Sequence, residues 1–223
     1  MTARQLPLDL AYRPALGRAD FMVASSNEAA VAWIDRWPDW PRGRLLIHGP
    51  SGSGKSHLAA VWCARSGAAA VPAETLAVGD VPALAAHRAL VVEDVERIGD
   101  PAALLHLYNL ADARAVSILF TAAIAPGSWR GVLADLVSRL KTVMSAEILA
   151  PDDALLAAVL AKLFADRRIA VDPDLVDYLL PRMERSFAAV GRIVAALDRA
   201  GLAERRRVTV ALARTVLGAP TTD

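Results

Sequence analysis

The run His48-Gly49-Pro50-Ser51-Gly52-Ser53-Gly54-Lys55-Ser56-His57 concentrates the chemistry of this sequence, because it contains the pattern G-x-x-x-x-G-K-S. Glycines let the backbone wrap closely round an anion and turn its N–H groups inward. A helix starting at the end of the loop adds the partial positive charge of its N-terminus. Lys55 offers a point charge to the β- and γ-phosphate oxygens, and Ser56 offers a hydroxyl to Mg²⁺. The expected ligand is a nucleoside di- or triphosphate with Mg²⁺, held by residues 49–57.

A phosphate loop of this kind needs an acid at the end of a neighbouring strand to hold the metal. The segment ALVVED supplies one, with four apolar residues followed by Glu93-Asp94. The first of such a pair is usually aspartate. Glu93 is one methylene longer, which alters the exacting geometry of Mg²⁺. Ser56 and Glu93 are therefore read as the metal-holding residues, and Asp94 as the residue that orients the attacking water. The chain is expected to bind nucleotide and to be, by itself, at most a weak ATPase.

The elements that must position these groups follow from periodicity. Ser25 with Glu28 forms an S-x-x-E capping box, which predicts a helix over residues 25–37, stopped by Pro38. Residues 44–48 (RLLIH), 89–93 (ALVVE) and 116–121 (VSILFT) read as buried strands. Helices are expected over residues 57–65 and 101–114, the latter with Pro101 at its favourable first position. Strands alternating with helices imply right-handed crossovers and a parallel sheet. After Pro151 the pattern becomes helical only, over residues 152–166, 173–182, 187–200 and 210–217. The expected division is a short N-terminal segment (residues 1–12), an α/β nucleotide-binding part (13–150) and a small all-α subdomain (151–223).

Composition narrows the partners. Hydrophobic residues make up 55% of the 223, ample for a packed core. Net charge is +1, from 25 basic and 24 acidic residues, so the chain is not a general polyanion binder. Residues 167–214 carry 10 arginines against 6 acids, a mild tilt that reads as solvated surface. The mean hydropathy of +0.34 owes much to 46 alanines. The longest uncharged stretch, residues 115–129, spans 15 residues and contains Pro126 and Gly127; a membrane span needs about 20 apolar residues. No basic-then-apolar leader is read at the start, so the expected location is the cytoplasm. Cys63 has no cysteine partner and reads as a buried thiol, and Trp33, Trp37 and Trp40 read as packing.

Several nucleotide-binding classes share the phosphate loop. A GTPase would show N-K-x-D, which is absent from the sequence. An AAA+ ATPase has a polar residue ending the strand beside the acid-bearing one, an arginine near the next helix, and a helical lid. Thr121, Arg139 in LADLVSRL, and residues 152–217 supply these. A transferring phosphoryl group spreads negative charge over its oxygens, and an arginine from a neighbouring subunit speeds hydrolysis by about 10³–10⁵. The fold class is therefore read as α/β: an AAA+ P-loop core with a parallel sheet flanked by helices, then a small all-α lid.

Three stretches carry a resemblance. Phe21-Met22-Val23-Ala24-Ser25-Ser26-Asn27 is similar to the F-V-V-G-x-x-N of the bacterial replication initiator DnaA, which puts Val23 at the nucleotide. Gly52-Ser53-Gly54-Lys55-Ser56-His57-Leu58 resembles its G-x-G-K-T-H-L. Gln5-Leu6-Pro7-Leu8-Asp9-Leu10 resembles the Q-L-x-L-x-L segment that docks proteins on the DNA polymerase sliding clamp. Gln5 can pair its amide there, and Leu6, Leu8 and Leu10 are apolar anchors at period two. Pro7 lowers the ordering cost of an extended peptide.

Together these resemble the Hda family of DnaA-related regulators, over residues 5–217. LADLVSRL is similar to its L-P-D-L-x-S-R-L, which places the family's arginine finger on Arg139, and Arg207-Val208-Thr209-Val210 also fits the pattern. The resemblance implies a protein that binds ADP or ATP, docks on the clamp and promotes hydrolysis of DnaA-bound ATP. It would thereby restrain initiation of replication and touch DNA only through the clamp; a homodimer is compatible with it. The family's lid arginine aligns on Gly191, with Arg192 one residue later, about 100° round a helix. The alternatives are a DnaA-like recruitment factor or helicase loader acting as a scaffold, and an autonomous P-loop kinase.

Overall fold

The computed structural model describes residues 21–129 and 133–218, and the chain divides at residues 150/151 into two compact units. The first is built on β1 (Arg44–His48), β2 (Ala69–Pro72), β3 (Ala89–Glu93), β4 (Ser117–Ala122) and β5 (Met144–Glu147). Every pairing is parallel, in the order β2-β3-β4-β1-β5. Helices α1 (Glu28–Asp35), α2 (Lys55–Ser66), α3 (Val81–Leu84), α4 (Pro101–Arg114) and α5 (Ala134–Lys141) accompany it.

The sheet is covered on both faces, so its central strands are continuous apolar runs whose alternate residues enter different cores. Leu46, Leu90, Val92, Ile118 and Phe120 pack with Leu104 and Leu107 of α4 and with Leu136 and Leu140 of α5. Leu45, Ile47, Val91 and Leu119 pack with Val31 and Ile34 of α1 and with Leu58 and Trp62 of α2. Trp40 stacks on Trp62 at 4.9 Å and Trp37 meets it edge-on at 5.9 Å, so the tryptophans pack at the rim of this second core.

Several elements depart from the sequence reading. The edge strands β2 (AAVP) and β5 (MSAE) escape it because each is short and largely exposed, and neither holds a run of β-branched or aromatic residues. Helix α1 begins at Glu28, and the expected Ser25 capping box does not form. Its N-cap is Asn27, whose buried side chain turns backward: Oδ1 accepts from the Ala24 N–H at 3.0 Å, and Nδ2 donates to the Met22 carbonyl at 3.0 Å. Asn27 thereby pins the segment before the helix.

The second unit comprises α6 (Asp153–Asp166), α7 (Pro173–Leu179), α8 (Phe187–Glu204) and α9 (Val210–Gly218). Asp152 caps α6 by accepting from the Leu155 N–H at 2.7 Å, and Ser186 caps α8 by accepting from Ala189 at 3.1 Å. Helix α7 passes at Leu180 into a single turn of 3₁₀ helix containing Pro181, which brings no N–H to the ladder. Leu156, Leu160, Phe164, Leu179, Val194, Leu197 and Leu212 form this unit's own core. Among the described residues no helix is long and apolar enough to cross a membrane.

Candidate functional site

The loop leaves β1 at its C-terminal end, between β4 and β5. The Gly49 N–H donates to the Ala122 carbonyl at 3.2 Å, and the Ile148 N–H donates to the His48 carbonyl at 2.7 Å. Gly49 has φ +155°, and a Cβ there would lie 2.0 Å from the Ile148 oxygen, so only glycine fits. Gly52 and Gly54 have φ of 74° and 101°, and α2 starts at Lys55. The Lys55 Nζ donates to the carbonyls of Gly49 at 2.7 Å and Pro50 at 2.9 Å. Burial lowers its pKa below 10.5, against the opposing charges of Asp94 and Glu96.

This loop fits a polyphosphate on observations beyond its pattern. The Ser53 Oγ is buried among the loop residues and has no hydrogen-bond partner. Lys55, buried, spends its donors on the loop's own carbonyls, partners that an anion can replace. Pro50, Ser51 and Ser56 remain exposed at the rim.

The acids lie at the ends of the adjoining strands. Glu93 closes β3, and Asp94 follows in a left-handed conformation with φ 52°. The Asp94 N–H donates to Thr121 Oγ1 at 3.1 Å, so the buried Thr121 near the end of β4 is tied to the acid pair. Glu93 shares the α2-facing side with Val91, and its charge helps to push the Cys63 thiol pKa up, after burial as the larger cause. Cys63 is half buried on α2. The carboxylates felt at Lys55 are Asp94 and Glu96.

Sequence reasoning passed over Glu96. The turn Val95–Arg97 brings it back toward β4, where its Oε1 accepts from the Ala123 N–H at 2.9 Å and its Oε2 is buried without a partner. The only cue in the sequence was a third acid two residues after the pair. Among the described residues no three His, Cys, Asp or Glu side chains gather as a metal cage. Mg²⁺ does not need one, since it is commonly held by one or two carboxylates, phosphate oxygens and water. Ser56 and Glu93 have the chemistry for that.

The segment before α1 meets the loop's helix through rings: Phe21, buried, stands edge-on to His57 with centroids 5.3 Å apart. Val23 beside it is 50% exposed, an apolar side chain presented to solvent.

Arg139 sits elsewhere. Helix α5 leads to β5, whose first residue Met144 pairs with Leu45, so α5 ends at the N-terminal edge of the sheet. The Arg139 guanidinium lies 5.9 Å from the ring of Tyr108, which also carries the guanidinium of Arg44, the first residue of β1. Four residues of β1 separate Arg44 from Gly49, five steps of extended chain or roughly 16 Å of strand. Arg139 is 39% exposed and bonds Asp135 one turn earlier at 3.2 Å.

In the second unit Arg192 is 66% exposed and paired with Glu184 at 3.2 Å, while Gly191 faces open space. The expected clamp-docking residues Gln5, Leu6, Leu8 and Leu10 lie outside the described residues.

Comparison with known proteins accords with this picture. Residues 153–217 match the family model described as Hda, lid domain. No curated protein sequence matches the chain. Domain III of the Thermotoga maritima replication initiation protein DnaA superposes with a TM-score of 0.79 at 16% identity, covering 92% of this chain and 97% of that one. A replication initiator DnaA bound to AMPPCP and single-stranded DNA gives 0.69 at 18% identity; the alignment covers 83% of this chain but less than two thirds, 64%, of that one. The Thermotoga maritima RuvB Holliday junction branch migration motor gives 0.73 at 15%, covering 94% and 74%. At such identities the structures show a shared fold, the AAA+ fold expected from the sequence. The α/β core thus has the fold of the DnaA and RuvB structures, and residues 153–217 are similar to the lid domain of Hda.

Proposed function

We propose that this chain is a regulator of DNA replication that binds adenine nucleotide and lends Arg139 to ATP held by a DnaA-type initiator. The placement of Arg139 carries the reading. It lies at the N-terminal edge of the sheet, while the chain's own phosphate loop opens at the C-terminal edge. An arginine so placed serves phosphates bound to another molecule, where it meets the charge that develops on the transferring phosphoryl group.

The loop would hold ADP or ATP as the chain's own ligand, with Val23 beside the base and Lys55 exchanging its carbonyl partners for phosphate oxygens. Mg²⁺ at Ser56 and Glu93 supplies neutralising charge there when bound. Glu93 and the engagement of Thr121 with the Asp94 backbone favour nucleotide holding over rapid turnover. Residues 5–10 would dock on the sliding clamp, so that both proteins meet on one DNA and weak contacts suffice through raised effective concentration.

The test is turnover of DnaA-bound ATP with clamp-loaded DNA. Wild-type protein stimulates it, Arg139→Ala removes the stimulation, and Gln5→Ala with Leu6→Ala weakens it together with clamp affinity. Undiminished stimulation by Arg139→Ala would remove the finger from the account and favour a scaffold or loader. Nucleotide turnover and substrate phosphorylation by the protein alone would point to an autonomous kinase.

A further inference from the structure

We propose that Tyr108 is a positioning residue for Arg139, with the buried Arg44 as its fixed support; this rests on the reading of Arg139 as a finger. Arg44 is 1% exposed. Its Nη1 donates to Asp112, its Nη2 donates to the Tyr108 carbonyl at 2.7 Å, and its Cζ lies 3.8 Å from the Tyr108 ring centroid. Backbone and ring of Tyr108 are thus both held by one immobile cation. The ring is itself buried, and the Arg139 guanidinium lies over it at 5.9 Å, at the outer limit of a cation–π contact.

Asp135 and Tyr108 hold Arg139 in different ways. The carboxylate of Asp135 is exposed and competes directly with an incoming phosphate for the guanidinium, so it restrains the arginine in the free protein. The ring face has no hydrogen-bond acceptor, so it limits where the guanidinium points without occupying its donors. An arginine with several rotatable bonds otherwise loses much side-chain entropy on reaching a transition state. A ring that restricts it beforehand raises the maximal rate of the stimulated reaction and leaves the affinity between the two proteins unchanged.

The experiment measures stimulated turnover of DnaA-bound ATP on clamp-loaded DNA, as maximal rate and as half-saturating concentration of this protein. Arg139→Ala abolishes stimulation. Tyr108→Phe keeps it near wild type. Tyr108→Leu lowers the maximal rate roughly two- to fivefold at unchanged half-saturation, the order expected of one partly exposed cation–π contact. Pentafluorophenylalanine at this position, of similar shape but with the ring's charge pattern inverted, lowers it as well. Melting temperatures and ADP affinity of each variant establish that fold and phosphate loop are intact, and the fluorinated ring stands in if the leucine variant does not fold. A full maximal rate in the leucine or fluorinated variant, with Arg139→Ala inactive, overturns the role of Tyr108 and leaves the finger standing. Full stimulation by Arg139→Ala overturns both.

Discussion

The backbone N–H of Asp94 donates to the Thr121 hydroxyl at 3.1 Å, joining the acid after β3 to the end of β4. Asp94 holds φ 52°, a left-handed conformation that costs a non-glycine residue about 1 kcal/mol or more, so the bond helps to keep an unfavourable backbone in place. Thr121→Val keeps the shape and removes the acceptor. It should lower stability by about 0.5–1.5 kcal/mol, the net worth of one part-buried hydrogen bond, while Thr121→Ser restores most of it. Urea midpoints measure this, and equal midpoints for the valine and wild-type proteins would mean that the bond contributes nothing.

Gly49 and Gly67 both have positive φ but differ in surroundings. A Cβ on Gly49 meets the Ile148 oxygen at 2.0 Å, whereas one on Gly67 meets nothing within 4 Å. Gly67→Ala should cost only the conformational penalty of about 1 kcal/mol. Gly49→Ala must displace β5 from the loop, at about 2–4 kcal/mol, and should abolish ADP binding measured by calorimetry. ADP affinity retained in Gly49→Ala would show that the loop is not held in the described form.

What was legible in the sequence was whatever a local pattern could carry. RLLIH and ALVVE are central strands buried on both faces, so their apolar runs gave their limits to the residue. The phosphate loop was legible because its residue types are dictated by backbone geometry within a few positions. The edge strands β2 and β5 were not, since a half-exposed strand of four residues leaves no continuous signal. Glu96 and Tyr108 were missed for a related reason. Their roles arise from Ala123, Arg44 and Arg139, which the sheet order brings near and the sequence keeps far apart. Ser25 misled because Asn27 serves as the cap residue yet spends its side chain on the preceding segment.

Lys55 should make nucleotide affinity sensitive to alkaline pH. Its pKa lies below 10.5, chiefly through burial, and polyphosphate favours the charged ammonium. Affinity for ADP should therefore begin to fall below the ordinary lysine range as pH rises, while Lys55→Arg, if it binds, stays flat because its guanidinium does not titrate. Stability has the opposite sign. The unfolded chain keeps this proton up to the ordinary value, so it binds more protons in the interval just below 10.5, and stability rises with pH there. Calorimetric titrations and melts across that interval check both, and a pH-independent affinity would contradict the first.

The charge of Glu93 at Cys63 makes the thiol a reporter of the metal site. Burial, then the Glu93 carboxylate, hold the thiol pKa above 9.0, and only the thiolate reacts with alkylating reagents. Glu93→Gln removes one of these causes, so the pH midpoint of iodoacetamide reaction should move down while staying above 9.0 through burial. Below the midpoint the variant reacts faster, and well above it the two rates converge. If Glu93 takes part in holding Mg²⁺ with nucleotide, part of its charge is neutralised in the loaded state. Mg²⁺ with ADP should then lower the wild-type midpoint, whereas ADP with chelator should not, and the glutamine variant should show no Mg²⁺-dependent shift. A midpoint unmoved by Glu93→Gln would place the carboxylate away from α2. A midpoint moved by the substitution but indifferent to Mg²⁺ would leave Glu93 facing the helix and take it out of the metal site.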